Sequence, residues 1–222
     1  MVVLGFAEPR TMTTVEPVSP YPPATSRDLD GWLSEDLSAL HPAETPTRLR
    51  ALADTQAARI GAWAGGVSIG LSAAIVGLVL LVATGRISSA AIVGGGVLFA
   101  GLCTFFLFRG RRRLPDTRRL RSVRGPARLG AGISAALVIY LPVTALMVIA
   151  MVSTGRFFGL IVANVAILLF LISAFVVPAA VLGRGRESFR RRVRTNVVLR
   201  ARLDQDRLTW KPDHATPMYG PL

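Results

Sequence analysis

The chain has one cysteine, Cys103, and two histidines, His41 and His214, and it has no ionised side chain in four long stretches, residues 62–83, 87–108, 129–152 and 157–182. Each absence removes a class of chemistry. A single cysteine excludes an intramolecular disulfide and a cysteine metal cluster. The histidines sit beside proline-rich sequence, without cysteines or carboxylates at metal-ligand spacing, so no metal and no cofactor is expected. Nucleophile and phosphate-loop patterns are also missing: Arg109-Gly110-Arg111-Arg112-Arg113 lacks the further glycines that would bring backbone amides around a phosphate. No catalytic residue is expected, and the chain reads as a non-enzyme.

The uncharged stretches are what the chain has instead. Each exceeds the roughly 20 apolar residues that an α-helix, rising about 1.5 Å per residue, needs to cross about 30 Å of hydrocarbon. The expected fold is an all-α integral membrane protein of four transmembrane helices, arranged as two consecutive hairpins. An ionised group inside a span would cost about 2.5–3.5 kcal/mol and would mark an ion or proton path. These spans carry none, which argues against a proton-coupled antiporter.

Charge is abundant outside them. Lys and Arg number 26 against 13 acids, for a formal net charge of +13. Nine arginines fall in residues 109–128 against Asp116, and nine more with Lys211 fall in residues 183–211 against Glu187, Asp204 and Asp206. Both runs directly follow a span, so the charge reads as an orientation signal and not as a nucleic-acid surface; no nucleic-acid partner is expected. The two remaining connections carry one arginine each, Arg86 and Arg156. Because Lys and Arg near span ends stay on the cytoplasmic side, the middle loop and both termini should be inside and the two short turns outside. The bacterial plasma membrane is the expected location. Arg109, Arg111, Arg112, Arg113, Arg118 and Arg119 are placed to meet anionic lipid headgroups, at roughly 1 kcal/mol each.

The expected organisation runs as a flexible N-terminal tail (1–26), a cytoplasmic amphipathic helical region (27–61), a first transmembrane hairpin (62–108), a basic cytoplasmic loop (109–128), a second hairpin (129–182) and a basic cytoplasmic C-terminal tail (183–222). Prolines 17, 20, 22 and 23 make the first segment extended. No secretory signal opens the sequence, so the first span is the expected targeting signal, and Met12 is an alternative initiator. Leu29, Trp32, Leu33, Leu37 and Leu40 then recur at helical spacing, with acids around the polar arc. That acidic helix is suited to dock on a basic segment of this chain or of a partner. From Thr47 one long helix is expected to run to Ala83, with Trp63 at the inner membrane interface. Residues 187–208 read either as a basic amphipathic helix on the membrane surface or as a solvated extension of the fourth span. Pro212, Pro217 and Pro221 predict a tail beyond it.

Two features of the spans suggest packing. Ala62, Gly66, Gly70 and Ala74 fall four apart on the first, and Gly94, Gly95 and Gly96 cluster on the second. Small residues let helix backbones approach, which matters in lipid because apolar burial does not drive helices together there. The natural use is packing within the chain, with a second subunit as the alternative. Asn164 is the main strongly polar side chain inside a span, in the company of Tyr140, Thr144 and Ser173, and it reads first as a hydrogen-bonding clasp between helices. Pro142 and Pro178 predict kinks.

The halves also resemble one another, each with a Thr-Gly-Arg turn (84–86 and 154–156) and an Arg-Gly-Arg exit (109–111 and 184–186). That pattern implies a parallel repeat, unlike the inverted repeats of many transporters. The expectation from sequence is a non-catalytic accessory or scaffold protein that joins a larger membrane assembly or a homo-oligomer. The alternative is a small oligomeric transporter or pore.

Overall fold

The computed structural model describes residues 21–42, 45–112, 129–154, 157–212 and 216–222. The regular elements of these residues are helical, and four helical stretches are long and apolar enough to cross a membrane: Arg48–Thr84, Ile87–Gly110, Leu129–Ile149 and Phe157–Gly183. The elements, in chain order, are α1 (Leu29–Trp32), α2 (Glu35–Leu40), α3 (Arg48–Thr84), α4 (Ile87–Arg112), α5 (Leu129–Thr154), α6 (Phe157–Leu171), a π turn (Ile172–Val176), α7 (Val177–Gly183), α8 (Gly185–Thr195) and α9 (Val197–Thr209).

Local chemistry sets the boundaries of α3. At its start Thr47 is extended, and its hydroxyl accepts from the Arg50 amide, satisfying one of the free donors of the first turn. At its end Gly85 adopts φ +63°, and its amide bonds the Leu81 carbonyl in a left-handed cap. The 37 residues between form one helix, as the sequence implies. It is longer than a membrane is thick, and its first turns lie in a separate core.

Along its apolar length α3 is the hub of the bundle. One face packs on α4, another on α6, the π turn and α7, while α5 packs on the far side of α6, the π turn and α7. The order across the bundle is therefore α4, α3, α6–α7, α5. In the most apolar part of each stretch only 11–17% of the length is buried within the chain. The π turn ends two residues before Pro178, which has no amide to donate; there the Val177 amide bonds the Ile172 carbonyl, five residues back. The helix α5 continues through Pro142.

The second core is not one that the sequence led us to expect. Leu29, Trp32, Leu33 and Leu37 of the α1–α2 region, Leu49, Leu52 and Ala53 of α3, Phe189 and Val193 of α8, Leu199 and Leu203 of α9, and Tyr219 and Leu222 bury one another. The amphipathic segment 29–40 is two helices and not one, because Ser34 is extended and its hydroxyl accepts from the Leu37 amide to start α2 afresh. Likewise the segment 187–208 breaks at Asn196, whose side chain accepts from the Leu199 amide. It is not a solvated extension: its apolar residues Phe189, Val193, Leu199 and Leu203 are buried against α1 and α3.

Acidic and basic segments do meet in this unit. Arg190 bonds Glu35 at 3.0 Å, Arg186 bonds Asp54 at 3.1 Å, Arg48 bonds Asp206 at 3.2 Å, and Arg200 pairs with Asp30.

The described parts of both expected tails include buried residues. Ala24 is buried, and its carbonyl accepts from the Trp32 indole at 2.9 Å. Residues 216–222 form a non-helical strap across the start of α3. The Arg48 and Leu49 amides donate to the Met218 and Tyr219 carbonyls at 2.9 and 3.0 Å, and the Thr47 hydroxyl donates to the Pro221 carbonyl at 2.8 Å. The prolines that forbid a helix here are compatible with this non-helical path. Residues 1–20 lie outside the described ones.

Candidate functional site

Three small-residue contacts and two hydrogen-bonded groups hold the apolar helices together. On α3, Gly66 faces Cys103 and Phe99, Gly70 faces Gly96 and Ala100, and Gly77 faces Val93 and Ile92. A Cβ at Gly70 would lie 2.7 Å from the Ala100 amide nitrogen and the Gly96 carbonyl oxygen, and one at Gly96 would lie 2.6 Å from the Ala74 nitrogen. Backbone meets backbone. Residue numbers rise along α3 as they fall along α4, so the pair is antiparallel.

Gly66, Gly70, Ala74 and Gly96 thus belong to one interface. Ala62 is exposed, and Gly94 and Gly95 have no atom within 4 Å of where a Cβ would be. The reason is helical drift: positions four apart advance about 40° per step, so Ala62 has rotated well off a face centred on Gly70, whereas Gly77, seven residues on, stays within about 20° of it. At the domain end of this seam Trp63 stacks on Phe106, with ring centroids 4.9 Å apart.

A second small-residue face, at Gly61 and Gly65, receives Pro178, and Gly65 also receives the carbonyl of Ser173. Here sequence reading missed a polar cluster. Ser68 and Ser72 of α3 lie 2.8 and 3.2 Å from the buried Ser173 hydroxyl, which donates to the Leu169 carbonyl at 2.7 Å. With its proton so used, Ser173 accepts from both serines. The available signal was the four-residue spacing of Ser68 and Ser72, which puts both on one face of α3.

Gly132 performs the same service between α5 and α7, where a Cβ would lie 2.6 Å from that of Ala179. Asn164 bridges α6 and α5. Its amide nitrogen donates to the Tyr140 hydroxyl at 3.1 Å, and its carbonyl oxygen accepts from Thr144 at 3.0 Å.

Of the arginines singled out for headgroup contact, Arg109 is exposed near the end of α4, and Arg111 and Arg112 continue that helix. The side chains of Arg111 and Arg112, and the whole of Arg113, Arg118 and Arg119, lie outside the described residues. Arg59 of α3 is exposed beside Gly110, and Arg184 is exposed between α7 and α8.

In the polar unit, burial pushes the Tyr219 phenol well above its usual pKa, with Asp206 adding to the shift. Its hydroxyl donates to the Leu203 carbonyl at 2.8 Å. Burial lowers the Arg50 pKa, and Arg186 lowers it further against the opposing pull of Asp54. Arg50 donates to the Pro42 and Thr45 carbonyls, tying the α2–α3 connection to the helix.

Among the described residues no group of three or more His, Cys, Asp or Glu side chains is placed to hold a metal ion. Comparison with protein-family models, with curated proteins and with solved structures finds no match.

Proposed function

We propose that this chain is a non-catalytic accessory or scaffold protein of the bacterial plasma membrane, with two transmembrane hairpins, both termini in the cytoplasm, and a partner protein or further copies of itself bound along its helices. The observation that carries the reading is the outward glycine face of α4. Gly94, Gly95 and Gly101 have open space beside them, and Ala90–Gly94 and Ala91–Gly95 repeat the small-x-x-x-small spacing that lets a foreign helix approach.

The polar side chains inside the spans support the same reading. Ser68 and Ser72 both bond Ser173, and Tyr140 and Thr144 both bond Asn164, so both sets act as fasteners between helices. The arginines near the membrane ends, Arg59, Arg109 and Arg184 among them, suit an anionic cytoplasmic leaflet. The polar unit built from α1, α2, α8 and α9 gives the scaffold a folded surface in the cytoplasm.

Purification in mild detergent tests this. The expected result is a stoichiometric partner or a defined homo-oligomer, lost on Gly94→Leu or Gly95→Leu in a chain that remains folded. A monodisperse monomer with no partner overturns it.

A second reading, a small oligomeric transporter, has one observation in its favour: the π turn Ile172–Val176 sits beside the Ser68–Ser72–Ser173 cluster, and such turns recur at functional sites. Flux in proteoliposomes that falls on Ser173→Ala would move the weight to transport.

A further inference from the structure

The strap 216–222 has the contacts of a bound peptide. Its residues lie outside every helix. Its backbone bonds go outward to other elements: the Met218 and Tyr219 carbonyls take the first two amides of α3, the Pro221 carbonyl takes the Thr47 hydroxyl, and the Leu222 amide donates to the Trp32 carbonyl at 3.1 Å. Helix N-termini carry amides with no partner inside the helix, so α3 presents donors to any extended chain laid across it.

Side chains add selection. Tyr219 is fully buried, with its hydroxyl on Leu203 and its ring edge-on to Trp210 at 5.7 Å. Gly220 lies flat against Trp32, where a Cβ would come within 2.5 Å of the indole, and Leu222 is buried in the same core. Backbone bonds give affinity and alternate pockets give specificity, which is how folds recognise extended peptides.

We propose that the groove formed by α1, the start of α3 and α9 is a peptide-recognition site for a Tyr-Gly-Pro-Leu segment. In this structure it is filled by the chain's own residues 216–222, and it is exchangeable for the same segment of a second copy. Tethering favours the chain's own segment through its high effective concentration, so a free groove exists only when the strap is released. The site does not depend on the glycine faces of the spans, so it can stand or fall separately from the scaffold reading.

The test uses the full chain in detergent. A protease recognition sequence is inserted between His214 and Ala215 and cut after folding, and a fluorescein-labelled peptide of the sequence of residues 216–222 is then added. The expected result is saturable uptake by the cut protein, no uptake by the uncut one, and binding at least about a hundredfold weaker for a peptide with alanine in place of Tyr219. A cut segment that never exchanges, or one that leaves without the labelled peptide rebinding, overturns the proposal. Where the insertion resists cutting, Gly220→Val displaces the strap in the intact chain; this variant must take up the labelled wild-type peptide, and failure to do so in a helical, monodisperse sample refutes the site.

Discussion

Gly70 and Gly96 face each other across the first pair of apolar helices so closely that neither has room for a methyl group, each Cβ position lying 2.7 Å from the other's carbonyl oxygen. A seam of this kind depends on dispersion contacts between backbones, because lipid supplies no hydrophobic drive for helices to associate. Gly70→Val or Gly96→Val should force α3 and α4 apart, at a cost of about 1–3 kcal/mol or more. Gly101→Ala, which points into open space, should leave the same unfolding curve unchanged. Thermal or denaturant unfolding in micelles measures both, and equal effects at the two sites would contradict the assigned interface.

Tyr219 gives the polar unit an alkaline limit. Its folded pKa is raised, so the folded state holds the phenolic proton more tightly than the unfolded chain. The associated stability is fully present below the unfolded tyrosine value of about 10 and is lost as pH rises above it. Circular dichroism should show the unit weakening from about pH 10 upward. Tyr219→Phe should flatten that dependence while losing about 1 kcal/mol at neutral pH with the bond to Leu203. An unchanged alkaline profile in Tyr219→Phe would count against the buried phenol.

Asn164→Leu removes a clasp to both Tyr140 and Thr144. Interhelical hydrogen bonds in membranes contribute about 0.6 kcal/mol on average and up to about 1.7. The loss should fall within that range, and a double cycle with Thr144→Val should show coupling. Additive losses would mean that the two side chains do not interact.

The four long apolar helices and the single helix that begins beside Thr47 were legible because long uncharged runs and a cap followed by apolar sequence are local signals. The second core was not. Trp32, Leu49, Phe189, Leu203 and Tyr219 come from five separate stretches, none with enough apolar residues to announce a folded unit by itself. Pro217 and Pro221 read as tail signals because proline excludes a helix, yet a non-helical strap packed on the body tolerates both. The small-residue stripe was legible as a packing face, but which glycines meet a neighbour depends on helical phase: Gly96 is in the seam, while Gly94 and Gly95 look away from it. Ser173, in the π turn, meets Ser68 and Ser72 from a helix 105 and 101 residues away in sequence, which no local signal reveals.

The account rests on four crossings that leave the arginine-dense segments and the polar unit in the cytoplasm. In a Cys103→Ala background, single cysteines at Ser122→Cys and Arg86→Cys are exposed to a membrane-impermeant maleimide in intact bacteria. The account predicts labelling at position 86 and protection at position 122 until the cells are broken. Labelling at 122 in intact cells, with protection at 86, would contradict it.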